Sequence, residues 1–280
     1  MNMFWAAILL VILSVVLIVA AYLLLIMPRT SSSKHTAPFR KWLYAHRGLH
    51  DNKSDAPENS MKAFAKAVEA GFGIELDIQL SKDKIPVVFH DFTLKRICNA
   101  EGKISDYTYE ELKRFTLCDS KEHIPLFEEV LKLVAGKVPL IVELKIEAAD
   151  LTLCSAADKL LRSYQGMYCI ESFNPLAVWW YRRKHRDVVR GQLSDAFLKE
   201  GARKGLLCFA LQNLLLNCLG KPDFVAYNHK YPKMLSRKIC RKIYHNTAAA
   251  WTIKSEDELA AARKNFDIFI FDSFVPAKVS

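Results

Sequence analysis

From Lys41 onward the chain alternates short apolar runs with amphipathic stretches. The apolar runs predict strands at Trp42–Ala45, Ile74–Leu80, Val87–His90, Leu140–Lys145, Tyr168–Ser172, Val188–Leu193, Phe224–Tyr227, Ala249–Ile253 and Asp267–Phe271. Helical periodicity falls between most of them. Asn59–Ala70 puts Met61, Phe64, Ala65 and Val68 on one face and stops at Gly71, a residue suited to the position just past a helix end. Thr108 with Glu111, and Ser255 with Glu258, have the spacing of capping boxes.

Only the segment Ser81–Pro86 separates Leu80 from Val87, too short for a parallel crossover, which takes about a dozen residues or more. The strand that carries His90 therefore returns antiparallel as a hairpin. A turn at Asp83-Lys84 would set Asp77 across from His90, and a turn one residue earlier would set Glu75 there. Without the hairpin strand, eight strands remain, joined by long or helical connections. That is the count of a (β/α)8 TIM barrel, here with an extra hairpin strand.

Ahead of the barrel, Phe4–Ile26 is an uncharged apolar run, long enough as a helix (roughly 35 Å) to span a bilayer core of about 30 Å. No Lys or Arg precedes it, the run exceeds a signal-peptide core, and no clear cleavage site follows, so a retained transmembrane anchor over residues 1–28 is expected. Residues 29–40, with Pro28 before them and Thr30, Ser31–Ser33 and Pro38 within, read as a polar linker, and 41–280 as the barrel domain.

Lys and Arg number 40 against 30 Asp and Glu, and the first charged residue is Arg29. Arg29, Lys34, Arg40 and Lys41 follow the anchor with no acid among them, which by the positive-inside bias places the domain in the cytoplasm, on a single-pass cell-membrane protein. The seven cysteines are odd in number and lack a CxxC pair, as suits a reducing compartment. The net charge of +10 fits a domain held near an anionic leaflet, and no nucleic-acid motif accompanies it.

Chemistry concentrates at predicted strand ends. With period 2, Glu75, Asp77 and Gln79 share one face of their strand, opposite Ile74, Leu76, Ile78 and Leu80. Glu143 and Lys145 share a face of theirs. Both faces of a barrel strand are normally dry, so carboxylates there need a compensating cation. Glu75, Asp77 and Glu143 make a hard all-oxygen set suited to Mg²⁺ or Ca²⁺ and poorly suited to zinc. His46-Arg47-Gly48 and His90-Asp91 end two further strands, adding imidazoles and a cation at the end of the barrel where active sites gather.

The segments AHRG (Ala45–Gly48), APENS (Ala56–Ser60), GIELDIQLSKD (Gly73–Asp83), PVVFHD (Pro86–Asp91), VELK (Val142–Lys145), SFN (Ser172–Asn174) and AWT (Ala250–Thr252) together resemble the glycerophosphodiester phosphodiesterases, a barrel family related in fold to phosphatidylinositol-specific phospholipase C. The resemblance covers nearly all of the chain after Trp42 and suggests a membrane-anchored bacterial type. It implies metal-dependent hydrolysis of a small or lipid-derived glycerophosphodiester to glycerol 3-phosphate and an alcohol. It implies catalytic roles for His46 and His90, one divalent cation held by Glu75, Asp77 and Glu143, phosphate contacts from Arg47 and Lys145, and Trp251 beside the glycerol. Glu58 matches a family acid whose role is left open. Lys84 stands where a turn glycine is common, and Lys254 departs from the family near the substrate.

Two other readings compete: a phosphodiesterase acting on lysophospholipids or phosphoinositides, and a membrane-tethered protein that binds phosphodiesters without cleaving them. The second has no need of both histidines and all three acids. Trp179–Lys184 reads as part of an outer helix. The apolar run Gly205–Leu219, short for a membrane span, reads as a barrel-covering helix with an exposed patch.

Overall fold

The computed structural model describes residues 3–30, 32–199, 201 and 205–277. Residues 1–2 of the expected anchor, 31 of the expected linker and 278–280 of the expected barrel domain lie outside the described residues. Helix α1, Met3–Ile26, comes first. Eight parallel strands then close a barrel: β1 Leu43–His46, β2 Gly73–Leu80, β4 Leu140–Leu144, β5 Tyr168–Ser172, β6 Arg190–Ser194, β7 Phe224–Asn228, β8 Thr247–Ile253 and β9 Ile268–Phe271. β1 pairs with both β9 and β2, which completes the circle. The remaining strand, β3 (Pro86–Val88), lies antiparallel on β2, as the short connection requires.

The hairpin register differs from both expected alternatives. Ile78 pairs with Val88, and the Phe89 amide donates to the Asp77 carbonyl at 3.0 Å, so Asp77 faces Phe89. The cause is the turn. It takes three residues, Lys82–Lys84, closed by the Lys84 amide on the Ser81 carbonyl, and Lys84 adopts a left-handed φ of 62°. A three-residue loop with a left-handed last residue shifts the pairing by one from either expectation. β3 also ends at Val88, so His90 sits in the loop beyond it.

Alternation along the strands builds two cores. Outward residues such as Leu76, Ile78, Val142 and Ile170 pack under the helices. Inward residues including Tyr44, Ile141, Cys169, Leu193, Phe224, Ala249 and Ile270 fill the barrel floor. A Cβ on Gly191 would come within 2.2 Å of the Phe224 ring, so the glycine makes room for that ring. Nearer the carboxyl ends the inward positions become charged, and there the dry interior turns into a site.

Helix α2, Met61–Glu69, is capped by Ser60, whose hydroxyl accepts from Ala63. The Thr108–Glu111 box forms as expected, and Ser255 caps its helix by accepting from Glu258. Trp179–Lys184 lies in outer helix α3, Pro175–Lys184, with Ala177, Val178 and Tyr181 buried. The run Gly205–Leu219 is not one helix. It divides into α4 (Leu206–Gln212) and α5 (Asn217–Gly220), with Leu214 between them at φ 57°. Leu206, Leu207 and Phe209 are exposed there.

Helix α1 is long and apolar enough to cross a membrane, and its central window buries nothing against the barrel. Its last turn is fixed to the barrel floor. The carbonyl of Ile26 accepts from Asn217, that of Leu23 from the Tyr244 hydroxyl, and that of Met27 from Lys221. Arg29 pairs with Asp223, just ahead of β7, at 3.1 Å. Residues 33–41 form two short helices under the barrel, where the Phe39 carbonyl accepts from the Tyr44 hydroxyl.

Candidate active site

The register lines up the charged groups. His46 pairs with Glu75, Asp77 with Glu143, and Glu143 with Glu171 on neighbouring strands. Ligand oxygens of Glu75, Asp77 and Glu143 all lie within 4.8 Å of one another, and the three side chains are buried. So the expected acidic triplet converges. Asp77 Oδ1 makes no hydrogen bond among the described residues. Burial and the neighbouring acids push Glu75 well above the usual carboxylate range, and burial raises Glu143 despite the Lys145 charge. Three buried carboxylates with ligand oxygens in mutual reach fit a hard divalent cation.

Two expected cations face the triplet. Lys145 Nζ stands 2.9 Å from Glu143 Oε1 and 3.5 Å from Asp77 Oδ1. Arg47 Nε is 3.4 Å from Asp77 Oδ2, while its Nη1 donates to Glu58 Oε1 at 2.6 Å. The backbone makes this aim possible: Arg47 and Gly48 are both left-handed, at φ 57° and 83°. A Cβ at Gly48 would meet the Ala63 backbone at 2.8 Å, so only glycine fits beside α2.

His46 Nε2 lies 3.9 Å from Glu75 Oε2. Its Nδ1 is 3.0 Å from Asp272 Oδ2, at the end of β9. Burial, then the Arg47 charge, lower the His46 pKa to about 4 against the pull of Asp272. Asp272 is held below the usual carboxylate range: burial opposes this, and the neighbouring imidazoles outweigh it. His50 approaches the same carboxylate, with Nε2 3.3 Å from Oδ1.

His90 stands half-exposed on the opposite side, with Nδ1 2.5 Å from Asp91 Oδ1. The Gln79 amide pins its loop by donating to the carbonyls of Phe89, His90 and Asp91. Arg96 then ties Asp91 to Glu58, with contacts of 2.6–2.9 Å. A continuous chain of charge-assisted contacts therefore runs from Arg47 through Glu58, Arg96 and Asp91 to His90. Glu58, whose role the sequence left open, is the bracket that sets Arg47. Burial raises its pKa, but Arg96 and Arg47 overcome that and hold it at about 2.

Asp272, Arg96 and Glu171 were not singled out from the sequence, and Gln79 was placed on the face of Glu75 and Asp77 without a role. Asp272 and Glu171 carried a signal: each continues the inward alternation of its strand, after Ile268 and Ile270 and after Cys169. Glu171 is buried, without a hydrogen bond at Oε2 among the described residues, and raised well above the usual range by burial and by Glu143. Arg96 sits on a one-turn helix, Lys95–Cys98, and no periodicity marked it.

Trp251 points to the barrel interior where the β8–β9 register shifts between Ala250 and Ile253. Its ring meets Phe173 edge to face at 5.6 Å, and its indole N–H has no partner among the described residues. Beside Lys145 a cleft of about 690 Å³ opens, lined by His90 and Glu143 and by apolar Phe92, Ile146, Phe173 and Phe197.

Comparison with known proteins gives the site a context. Residues 46–272 match the sequence profile of the Glycerophosphoryl diester phosphodiesterase family, from His46 to the Asp272 it touches. A glycerophosphodiester phosphodiesterase of Bacillus altitudinis is 43% identical over 112 residues, covering 38% of this chain and 44% of the relative. One from Caldanaerobacter subterraneus is 37% identical over 144 residues, covering 47% and 58%. The chain thus matches about half the length of these curated relatives. Among solved structures, the Oleispira antarctica phosphodiesterase with its product sn-glycerol-3-phosphate aligns at TM-score 0.68 and 23% identity, over 84% of this chain and 94% of the other. The Thermotoga maritima glycerophosphodiester phosphodiesterase aligns at 0.61 and 25%, over 82% and 93%.

Proposed function

The chain belongs to the glycerophosphoryl diester phosphodiesterase family, and we propose that it hydrolyses glycerophosphodiesters to glycerol 3-phosphate and an alcohol. The observation that carries this reading is the convergence of three acids, two imidazoles and two cations at one barrel mouth. A cation held by Glu75, Asp77 and Glu143, for which Mg²⁺ and Ca²⁺ suit the all-oxygen donors, supplies positive charge at a phosphoryl oxygen.

The protein's own groups do the rest. Arg47 and Lys145 flank the acids and clamp the phosphate, and both are already fixed before substrate arrives, so no reorganisation opposes charge development. His46 is oriented as a base: with Nδ1–H donated to Asp272, Nε2 is free to take a proton from the attacking hydroxyl. His90, across the mouth and nearer solvent, delivers a proton to the leaving oxygen. Trp251 and Phe173 supply an apolar wall for the glycerol carbons.

The location of the anchor favours one substrate class. Helix α1 leaves from the strand amino ends, and the site lies at the carboxyl ends. β2 alone spans roughly 26 Å, which sets the mouth at the far end of the barrel from the attachment of α1 and supports a mouth turned away from the bilayer. With Arg29, Lys34, Arg40 and Lys41 beside the anchor, that bilayer is the cell membrane and the domain cytoplasmic. Water-soluble diesters then reach the site more readily than lipids of the same bilayer. A second reading, lysophospholipid cleavage, is supported by the apolar side of the cleft; such a lipid would enter as a monomer.

The test is glycerol 3-phosphate release by the full chain in detergent, from glycerophosphocholine, glycerophosphoethanolamine, lysophospholipid and inositide, after chelation and with each metal restored. Release that needs Mg²⁺ or Ca²⁺ supports the assignment. Tight diester binding without product, or activity indifferent to chelator, rejects it.

A further inference from the structure

A second cluster of metal-ligating side chains stands next to the acidic triplet and shares none of its residues. His46, His50 and Asp272 each offer a ligand atom within 4.8 Å of the others. Both imidazoles approach the one carboxylate, at 3.0 and 3.3 Å. Tetrahedral zinc, with bonds of about 2.0–2.1 Å, sets neighbouring ligand atoms roughly 3.3 Å apart. The Asp272 oxygens therefore already stand near ligand-to-ligand spacing from both rings.

A second observation points to a missing partner. His50 is largely buried, with 12% of its side chain exposed, yet its Nδ1 has no partner among the described residues and its Nε2 meets only the Asp272 carboxylate, at 3.3 Å. A buried ring nitrogen without a partner is costly, and a bound cation removes that cost. Access exists: a cleft of about 540 Å³, separate from the substrate cleft, is lined by His50, Asp272, Asn52 and Ser273. Three ligands with a fourth side open to that cleft match the incomplete shell of an exchangeable site.

We propose that His46, His50 and Asp272 form a second cation site, selective for Zn²⁺ and similar borderline ions, whose filling switches the enzyme off. The two neighbouring sites sort cations by ligand chemistry. Glu75, Asp77 and Glu143 offer oxygen alone and suit hard ions; the His2Asp set suits zinc. Zinc takes His46 through the nitrogen turned toward Asp272. It displaces the hydrogen bond that orients the ring, and the proton formerly on Nδ1 moves to Nε2, where the base needs its lone pair. A ring that cannot accept a proton cannot serve as the base. The binding half of this inference stands on the geometry of the cluster. The inhibition half rests on the role proposed above for His46.

The experiment uses the full chain in detergent with saturating Mg²⁺, and the variants His50→Gln and His50→Asn. Zn²⁺ stoichiometry is measured by competition with a chromophoric chelator, and Co²⁺ in place of Zn²⁺ reports nitrogen ligation through its visible absorption. Wild type is expected to bind one Zn²⁺ per chain that excess Mg²⁺ does not displace, and to lose its diesterase activity as that ion binds. Loss of a direct ligand should weaken Zn²⁺ binding roughly 100-fold or more, at least the upper end of the 10–100-fold cost of outer-shell changes. Both variants should therefore keep their basal turnover and resist inhibition. Equal Zn²⁺ affinity in wild type and variants, or displacement of Zn²⁺ by Mg²⁺ in proportion, overturns the site. Binding at His50 without loss of turnover overturns the inhibitory role. If the protein cleaves no diester, the functional reading fails, while chelator competition and the Co²⁺ spectrum still decide the site.

Discussion

Asp272→Asn is the substitution that most directly tests how the two sides of the mouth divide the chemistry. In the wild type Asp272 Oδ2 sits 3.0 Å from His46 Nδ1 and fixes the tautomer that leaves Nε2 unprotonated. An asparagine can instead donate its amide to Nδ1, and the proton then moves to Nε2, where a base is needed. Loss of the charge-assisted hydrogen bond alone is worth about 1.5–3 kcal/mol, or roughly 10- to 150-fold in rate. An orienting acid replaced by its amide elsewhere costs about 10⁴-fold once the tautomer is wrong. We therefore expect kcat to fall by about 100-fold or more. KM should change little, because Asp272 does not line the substrate cleft. The assay is initial-rate release of glycerol 3-phosphate with Mg²⁺ across a pH series. Burial and Arg47 already hold His46 down, to about 4, and Asp272 is the main group pulling it back up. Removing the anion makes the imidazolium less stable, so the acid limb of any residual activity moves to lower pH. A variant with kcat within about threefold of wild type and an unmoved acid limb refutes the orienting role.

Three further outcomes are expected. His46→Ala and His90→Ala should each lower kcat by about 10²–10⁴-fold with thermal melts unchanged; a near-wild-type rate removes that histidine from the proton transfers. Glu58 is held at about 2 against its usual 4.5, so its ionised form adds up to about 3 kcal/mol of stability. The folded pKa is the lower one, so this contribution is full above about 4.5 and fades as pH falls toward 2. The stability gap between wild type and Glu58→Gln in thermal melts should shrink over that window, and a gap independent of pH contradicts the Arg47–Glu58–Arg96 account. Finally, the protein in nanodiscs should cleave added glycerophosphocholine at the rate seen in detergent and leave lysophospholipid held in its own disc intact; rapid loss of that lipid rejects the outward-facing mouth.

What the sequence made legible, and what it hid, divides along a physical line. Side-chain alternation has a fixed period in any strand, so Glu75, Asp77, Glu143 and Lys145 could be assigned to one barrel face without coordinates, and the structure puts them there. The antiparallel return of β3 followed from chain length alone. The register did not, because it depends on how many residues the turn consumes, and Lys84 in a left-handed conformation makes that number three. The groups that aim the reactive residues were the least visible. Gln79 acts through three backbone carbonyls, Arg96 from a single helical turn, and Asp272 across the barrel seam from His46, which it follows by 226 positions. The Arg96–Glu58 and His46–Asp272 contacts join distant segments, and the nearer ones, Gln79 to its loop and Arg96 to Asp91, follow no helical or strand period, so no periodicity marks them. Their arrangement also explains why the site tolerates so much buried charge. Among the described residues, each acid that faces the mouth has a cation or imidazole of its own except Glu171, whose carboxyl burial and its acidic neighbours push well above the usual range. The shift favours the neutral form, which limits the negative charge beside Glu143 and can donate a hydrogen bond. Glu171→Gln keeps that donor and should therefore disturb the site far less than Glu171→Ala, which leaves a hole beside the acidic triplet.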